Sequence, residues 1–455
     1  MIKGKYFDNW RKLLSCKRLY ALEDGTLKLR IAPNEEDPSA DRTPFERDYE
    51  RILFSPGFRR MAGKTQVQPF AEIDFIHNRL THSIEVAMVC HSLAKKVFLS
   101  LLRKNDVTPK DKESFVWATK AAGIAHDIGN PPYGHAGESA IRSWAEFKNE
   151  RIEPNASSWY DVTLFDGNAQ GFHLLSRHDP RPNSYYHFTC ASLGAVVKYP
   201  WTSKTARKER KGKFDVFLID EEAFKLVWAE LGLVKENKYL RHPLSFLSEA
   251  ADDICYRILD FEDAVVSNIV SEKDVCNILI GGLDLSDQKL VKKEKKGLQW
   301  IRGKIIGKLI TIFADVFIEN YEKIMDGKFK ERDLKSCLNR RSGVGKMLSA
   351  LDKKYNDLFS ERHKVLHEIG GFYQIPRMFD AYWFLLKTMY VNDDHEVPVF
   401  GKLPPKAREL VRLAWEEDYY EKNREKGFDW WFHAVIDFIA GMTDWYLKKL
   451  ALNIG

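Results

Sequence analysis

The sequence has little of what marks a specialised class of protein. Its six cysteines, Cys16, Cys90, Cys190, Cys255, Cys276 and Cys337, form no CxxC pair, which argues against a zinc ribbon or a disulfide-stapled secreted fold. No apolar run reaches the ~18 residues of a membrane-spanning helix, so no membrane role is expected. The opening stretch MIKGKYFDNWRKLL lacks the apolar core of a secretory signal, and a cytoplasmic location is expected. Charge of one sign is scarcely in excess, with 71 basic and 65 acidic residues and a net charge of +6. That balance is not the footprint of a dedicated nucleic-acid binder. It does suit a protein that handles a polyanion in a local basic pocket. Internal repeats and low-complexity linkers are also missing.

What is present is a large globular chain. Of its 455 residues, 44% are hydrophobic and 13% aromatic, with 12 Trp, enough for a sizeable core. Apolar residues recur at three and four, as in Leu80, Ile84, Ala87 and Met88, and predict helices over 79–101, 113–127, 221–231, 246–269, 304–325, 343–360, 377–390, 405–421 and 430–452. FDVFLI (214–219) is the best strand-like run. The polar stretch 147–188 reads as a loop-rich insertion, and 392–406 as a second long connection. The fold class expected is mostly α. The basic clusters KTARKERKGK (204–213) and KKEKKG (292–297) read first as solvated loops, with phosphate contact by some of their lysines left open. Trp430, Trp431 and Trp445 read as an ordinary core, with an interface as the other reading.

Histidines and carboxylates carry the chemistry. The run AAGIAHDIGNPPYGHAGE (121–138) begins as a small-residue helix and is broken by Gly129, Asn130, Pro131 and Pro132. His126 and Asp127 therefore lie near a buried helix end, where both need partners. A divalent metal satisfies an imidazole and a carboxylate together. His82 lies on a second apolar-faced helix. In SEAADDICYRILDFEDA (248–264), Glu249, Asp252, Tyr256 and Asp260 recur at three and four and share roughly one face. Carboxylates on a core-facing stripe are costly without a cation or ligand.

These residues carry a resemblance. H…HD…D is similar to the HD superfamily of metal-dependent phosphohydrolases. RRMAGKTQVQP (59–69), NRLTHSIEVA (78–87), HDIGNPPYGHAGE (126–138), DGNAQG (166–171), VKYPW (197–201), EAADDICYRILDFEDA (249–264) and DFIAGMTDWY (437–446) resemble, in order, blocks of the deoxyguanosine triphosphate triphosphohydrolases. The resemblance implies one large helical HD domain over 1–455, with a metal core at about 45–270 and a C-terminal helical part at about 300–455. It implies one divalent metal held by His82, His126, Asp127 and Asp252, with Asp252 rather than Asp253 at the matching position. Manganese is favoured, because two imidazoles make the site softer than magnesium prefers; magnesium and iron are compatible.

By the same resemblance His135 and Glu138 form a catalytic pair. The residues themselves agree, since a carboxylate beside a His fixes its tautomer and raises its pKa for acid–base work. Arg79, Lys198 and Tyr199 match phosphate contacts, and Lys213 is a further candidate. Tyr256 and Asp260 match residues that meet the deoxyribose, where an aromatic face penalises a 2′-hydroxyl. Asn168 and Gln170 read either as contacts or as loop structure. Asn130 stands where many relatives carry His, so no second metal is expected there. Ala62 stands where some carry a sugar-contacting Gln.

The activity implied is hydrolysis of dGTP, with other dNTPs open, to deoxynucleoside and inorganic tripolyphosphate by water attack on the α-phosphate. A different HD-type nucleotide phosphohydrolase or phosphodiesterase is the alternative. A single-stranded nucleic-acid-binding or regulatory protein with an HD site is the second. The resemblance also implies a homo-oligomer, hexamers among the forms, and leaves single-stranded DNA open as a modulator.

Overall fold

The computed structural model describes residues 3–22, 26–32, 42–66, 76–148, 151–177, 186–209, 211–339, 341–359, 362–391 and 396–453, with backbone alone at 356–359 and 362–368. The parts of the sequence reading at 67–69, 149–150, 178–185, 210, 360 and 392–395 lie outside the described residues. The architecture is mostly α-helical, as expected. Among the described residues, paired strands are limited to two short hairpins, Arg18–Ala21 with Leu27–Arg30 and Val234–Lys235 with Lys238–Tyr239.

Three helices frame the centre. Arg79–Arg103 starts at Asn78, whose side chain accepts from Thr81 N–H (3.0 Å) while Thr81 Oγ1 accepts from Asn78 N–H (3.1 Å). This reciprocal cap fixes where the helix begins. Lys112–Ala125 lies antiparallel to it, with Phe115 near Phe98 (5.6 Å between centroids) and His126 near His82 (5.3 Å). The small residues of the AAGIA run explain the closeness. A Cβ added at Gly123 would meet Cys90 Sγ at 2.6 Å and Ala87 Cα at 3.0 Å. Pro243–Val266 carries Pro in its first turn, where the missing N–H has no intrahelical partner to lose. It packs against both, and Leu298–Glu319 packs on two of the three.

The apolar side chains gather in two clusters. One unites the framing helices with residues of Leu298–Glu319 and Gly343–Phe359. The other joins His135–Phe147 to the C-terminal helices through Trp144, Trp159, Trp383 and Phe432, whose rings meet at 5.2–6.4 Å. Trp431 is buried in this second core, whereas Trp445 is 65% exposed.

Several elements differ from the sequence reading. FDVFLI is not a strand: only Val216 bridges, to Thr202, and Leu218–Asp220 is a 3-10 turn. Among the described residues the run has no neighbouring strand, and buried Asp161 takes the Leu218 N–H instead (2.9 Å). The supposed loop 147–188 holds two helices, Ser158–Thr163 and Gly167–Ser176. The second is capped by Asp166, which accepts from Asn168 N–H (3.0 Å). Asn168 and Gln170 are thus helical. Expected helices also divide, 405–421 at Trp415, 430–452 beyond Gly441 and 304–325 at Asn320. Arg362–Tyr390 starts well before residue 377 and carries Pro376 inside.

Gly129 shows how tightly the turn after His126 and Asp127 is docked. A Cβ there would lie 2.1 Å from Gly171 N and 2.3 Å from Gly167 O, both backbone atoms. Backbone cannot yield as a side-chain tip can. Gly129→Ala is therefore expected to destabilise the protein by about 3 kcal/mol or more. Urea denaturation checks this; a loss under about 1 kcal/mol would show that the turn is loosely held.

Candidate metal and phosphate site

Lys112–Ala125 ends short of the residue 127 that the sequence reading gave, with His126 as C-cap. His126 Nδ1 lies 2.8 Å from the Gly123 carbonyl, so Nδ1 carries the proton and donates, and Nε2 turns its lone pair inward. His82 Nε2 stands 3.2 Å from Asp252 Oδ1, and His126 Nε2 stands 3.5 Å from the same oxygen. Two ligands of one ion, each about 2.1 Å from it, lie no more than about 4.2 Å apart. His126 Nε2 is buried with no hydrogen-bond partner, as a donor atom reserved for a cation would be. Among the described residues this His-His-Asp group is the one whose donor atoms converge for a metal.

Asp127 adjoins the group without converging on the same point. Its Oδ1 is 3.6 Å from His126 Nε2 and accepts from Asn130 Nδ2, while its Oδ2 accepts from Arg79 Nη1 (2.6 Å). Arg79, matched to a phosphate contact, is therefore paired with a carboxylate. Gly134 makes room for it: φ there is +53°, and a Cβ would sit 2.5 Å from Arg79 Nη2.

Charge in the cluster is balanced by proximity. Burial pushes the Asp127 carboxyl up, but Arg79 and the two imidazoles outweigh it and hold it well below the usual range. Asp252 is likewise held low against its burial by His126 and Lys198. Burial lowers His126, yet Asp127 and Asp252 raise it above its ordinary value. A field that favours positive charge on an imidazole also favours a bound cation.

Lys198 Nζ reaches Asp252 Oδ2 (3.4 Å), and Asp252 and Glu249 keep it protonated despite burial. Tyr199 follows it, its ring 5.6 Å from Trp201. The turn bearing both is pinned by Asp215, a residue the sequence reading gave no role. Asp215 Oδ2 accepts from Lys198 N–H (2.5 Å) and Tyr199 N–H (2.9 Å). The signal was available: a carboxylate inside an apolar run. Lys213 Nζ lies 3.7 Å from Asp166 Oδ2.

His135 Nδ1 is 2.9 Å from Glu138 Oε2, and Glu138 Oε1 accepts from Gly167 N–H (2.8 Å). Glu138 is buried, and His135 is 81% exposed at its side chain. Burial pushes Glu138 up, but the His135 hydrogen bond and charge, the Gly167 N–H and Lys213 bring it below its ordinary value. The Pro243–Val266 helix also carries Tyr256 and Asp260. Tyr256 meets Tyr355 edge-on at 5.1 Å, and Tyr355 Oη donates to Asp260 (2.8 Å). Tyr355 lay in no motif. Burial pushes Asp260 up to about 7.

The basic clusters are surface features where described: Lys204, Arg207, Lys208, Lys292, Lys293 and Lys295 are exposed.

Asp215 gives a pH-dependent expectation. Burial pushes its carboxyl up to about 7, against the Lys198 and Tyr199 N–H groups. A raised carboxyl favours the folded state below its unfolded pKa, and that contribution is lost as pH rises from about 4 to about 7. Asp215→Asn cannot ionise, so it is expected to gain on the wild type in urea-measured stability between pH 5 and pH 8. On the expectation from the sequence that Lys198 and Tyr199 meet phosphate, Asp215→Ala, which frees their turn, is expected to raise KM for a nucleoside triphosphate about tenfold or more with divalent-metal affinity unchanged. An unchanged KM would remove Asp215 from the binding apparatus.

Residues 79–156 match the family model described as HD domain. That match, together with the relatives that follow, supports the class of metal-dependent nucleotide phosphohydrolases, and no helix among the described residues is long and apolar enough to cross a membrane. The chain is 32% identical over 474 residues to a deoxyguanosinetriphosphate triphosphohydrolase-like protein of Pseudomonas aeruginosa, covering 97% of this chain and 98% of the relative. It is 32% identical to a protein of the same description from Listeria monocytogenes, again over 97% and 98%. A deoxyguanosinetriphosphate triphosphohydrolase of Yersinia enterocolitica is 27% identical over 88% of this chain and 92% of its own length. The chain belongs to the deoxyguanosinetriphosphate triphosphohydrolase-like family of HD-domain proteins.

Proposed function

We propose that this protein hydrolyses dGTP, and other dNTPs as its base pocket admits them, to deoxynucleoside and inorganic tripolyphosphate. The observation that carries the reading is the convergence of His82, His126 and Asp252 beside a protonated, buried Lys198. His82, His126 and Asp252, with Asp127 at its edge, would hold one divalent cation, manganese by preference over magnesium or iron. Such a cation supplies Lewis-acid polarisation of a phosphoryl oxygen and acidifies water.

The remaining roles fall to the chain. Lys198, Tyr199 and Lys213 receive the phosphate oxygens, and Arg79 holds Asp127 while adding positive charge. Glu138 accepts from His135 Nδ1–H, which leaves Nε2 to take the proton of the attacking water or to deliver one to the leaving 5′ oxygen. Tyr256 faces the sugar at C2′, and Asp260, held by Tyr355, orients beside it. A 2′-hydroxyl there meets a ring and no partner, which favours deoxy substrates.

The test is product analysis. The purified protein is incubated with each deoxynucleoside triphosphate and with GTP, in manganese and then in magnesium, and products are separated by ion exchange. Deoxyguanosine with tripolyphosphate, abolished in Asp127→Ala, is the expected result. Monophosphate or single phosphate as the product would move the protein to another HD branch.

A further inference from the structure

Behind the turn that follows His126 and Asp127, on the far side of Lys64, lies a cavity of about 510 Å³. It holds none of the metal, phosphate or sugar residues described above. The size falls within the roughly 300–1,000 Å³ of small-molecule sites. Its floor is cationic. Arg60, Lys64 and Arg177 line it, against one carboxylate, Asp437. That carboxylate is already engaged, accepting from Arg177 Nη2 and from Gln170 Nε2 (2.7 Å). Among the described residues Lys64 Nζ donates to two neutral oxygens, the carbonyls of Asn130 (2.5 Å) and Ala440 (2.7 Å). Among the described residues no carboxylate comes within ion-pair distance of Arg60 or Lys64. The resulting positive field is felt by Lys64 itself: burial first, then Arg60 and Arg79, push it down to about 7. The wall is aromatic, with Trp415 mostly buried and Tyr446 at the rim, 41% exposed.

We propose that this cavity is a second, non-catalytic site for a small organic anion, one oxyanion group on a planar ring body. The guanidinium of Arg60 offers the planar fork that matches a carboxylate, sulfonate or phosphate. The rings of Trp415 and Tyr446 cover the ligand's apolar body. Lys64 belongs to both places. It closes the floor of the cavity and holds the carbonyl of Asn130, whose side chain holds Asp127. The site does not depend on which nucleotide the enzyme cleaves.

The test uses 1-naphthalenesulfonate, two fused rings with one oxyanion and no phosphoester to cleave. It is titrated by calorimetry into the full-length, manganese-loaded protein, with and without saturating tripolyphosphate. The expected result is one site per chain, unaffected by tripolyphosphate and weakened at least tenfold in both Arg60→Gln and Tyr446→Ala. Tyr446 is exposed enough that its replacement leaves the core intact. Absence of binding to the wild type, displacement by tripolyphosphate, or undiminished affinity in the two variants would overturn the proposal.

Discussion

Asp252→Asn is expected to lower the proposed dGTP hydrolysis by about a thousand-fold or more, which is about 4 kcal/mol of barrier. The substitution takes the negative charge off the group whose Oδ1 lies 3.2 Å from His82 Nε2 and 3.5 Å from His126 Nε2, and puts an NH2 in place of one of its oxygens. It also removes the counter-charge of Lys198. An amide keeps the shape, so the fold should persist while manganese binding, followed by equilibrium dialysis, falls with activity. The neighbouring carboxylate is the control. Asp253 pairs with Arg257, away from the imidazoles. Asp253→Asn is expected to retain manganese and to keep activity within about tenfold, at some cost in stability. If Asp253→Asn lost the metal and Asp252→Asn kept it, the assignment of the ADD pair would be reversed.

Asp444→Ala is expected to destabilise the protein by about 3–5 kcal/mol. One buried carboxylate there ties three segments together. Its Oδ2 accepts from Thr65 N–H (3.0 Å) and Thr65 Oγ1 (2.5 Å), and its Oδ1 accepts from Tyr133 N–H (3.0 Å). Tyr133 is held at a positive φ of 61°, a conformation that needs such an anchor. Removing the carboxylate leaves two backbone N–H groups without an acceptor. Asp444→Asn should rescue little, because its amide presents a donor where one of these donors already points. Urea denaturation of both variants decides the matter. Full rescue by Asn would mean that charge contributes nothing at this point.

How far the sequence alone reached depended on the kind of residue. Imidazoles and carboxylates on apolar helix faces marked His82, His126, Asp127 and the acidic stripe from Glu249 to Asp260 as candidates, and only the family resemblance singled out Asp252 from that stripe; the structure groups His82, His126 and Asp252 and leaves Asp127 beside them. The small residues around Gly123 were legible as helix, and their packing purpose appears once Cys90 and Ala87 lie against them. FDVFLI misled because an apolar run of six does not state whether a partner strand exists. The 147–188 stretch misled because Asp166 and Gly167 look like loop residues when they are in fact a cap and a first turn. Asp215, Tyr355 and Asp444 were not assigned roles, since each acts through a backbone group or a side chain far away in sequence. The pairing of Arg79 with Asp127 depends on a contact across 48 residues that no local pattern encodes.

The bond between Thr65 and Asp444 spans 379 residues. Chains are made from the N-terminus onward, and a contact of such separation forms only after all the residues between have been released. The helices bearing His82 and His126 can pair early, because they are neighbours in sequence. The Asn130–Tyr133 turn beside them acquires two further supports, Asp444 and the Ala440 carbonyl held by Lys64, only once residues 440–444 have been made. A growing chain on the ribosome therefore carries an incompletely braced turn until the stretch through residue 444 has emerged. Shortening the C-terminus before residue 440 should leave a protein that still folds its central helices yet never seats that turn.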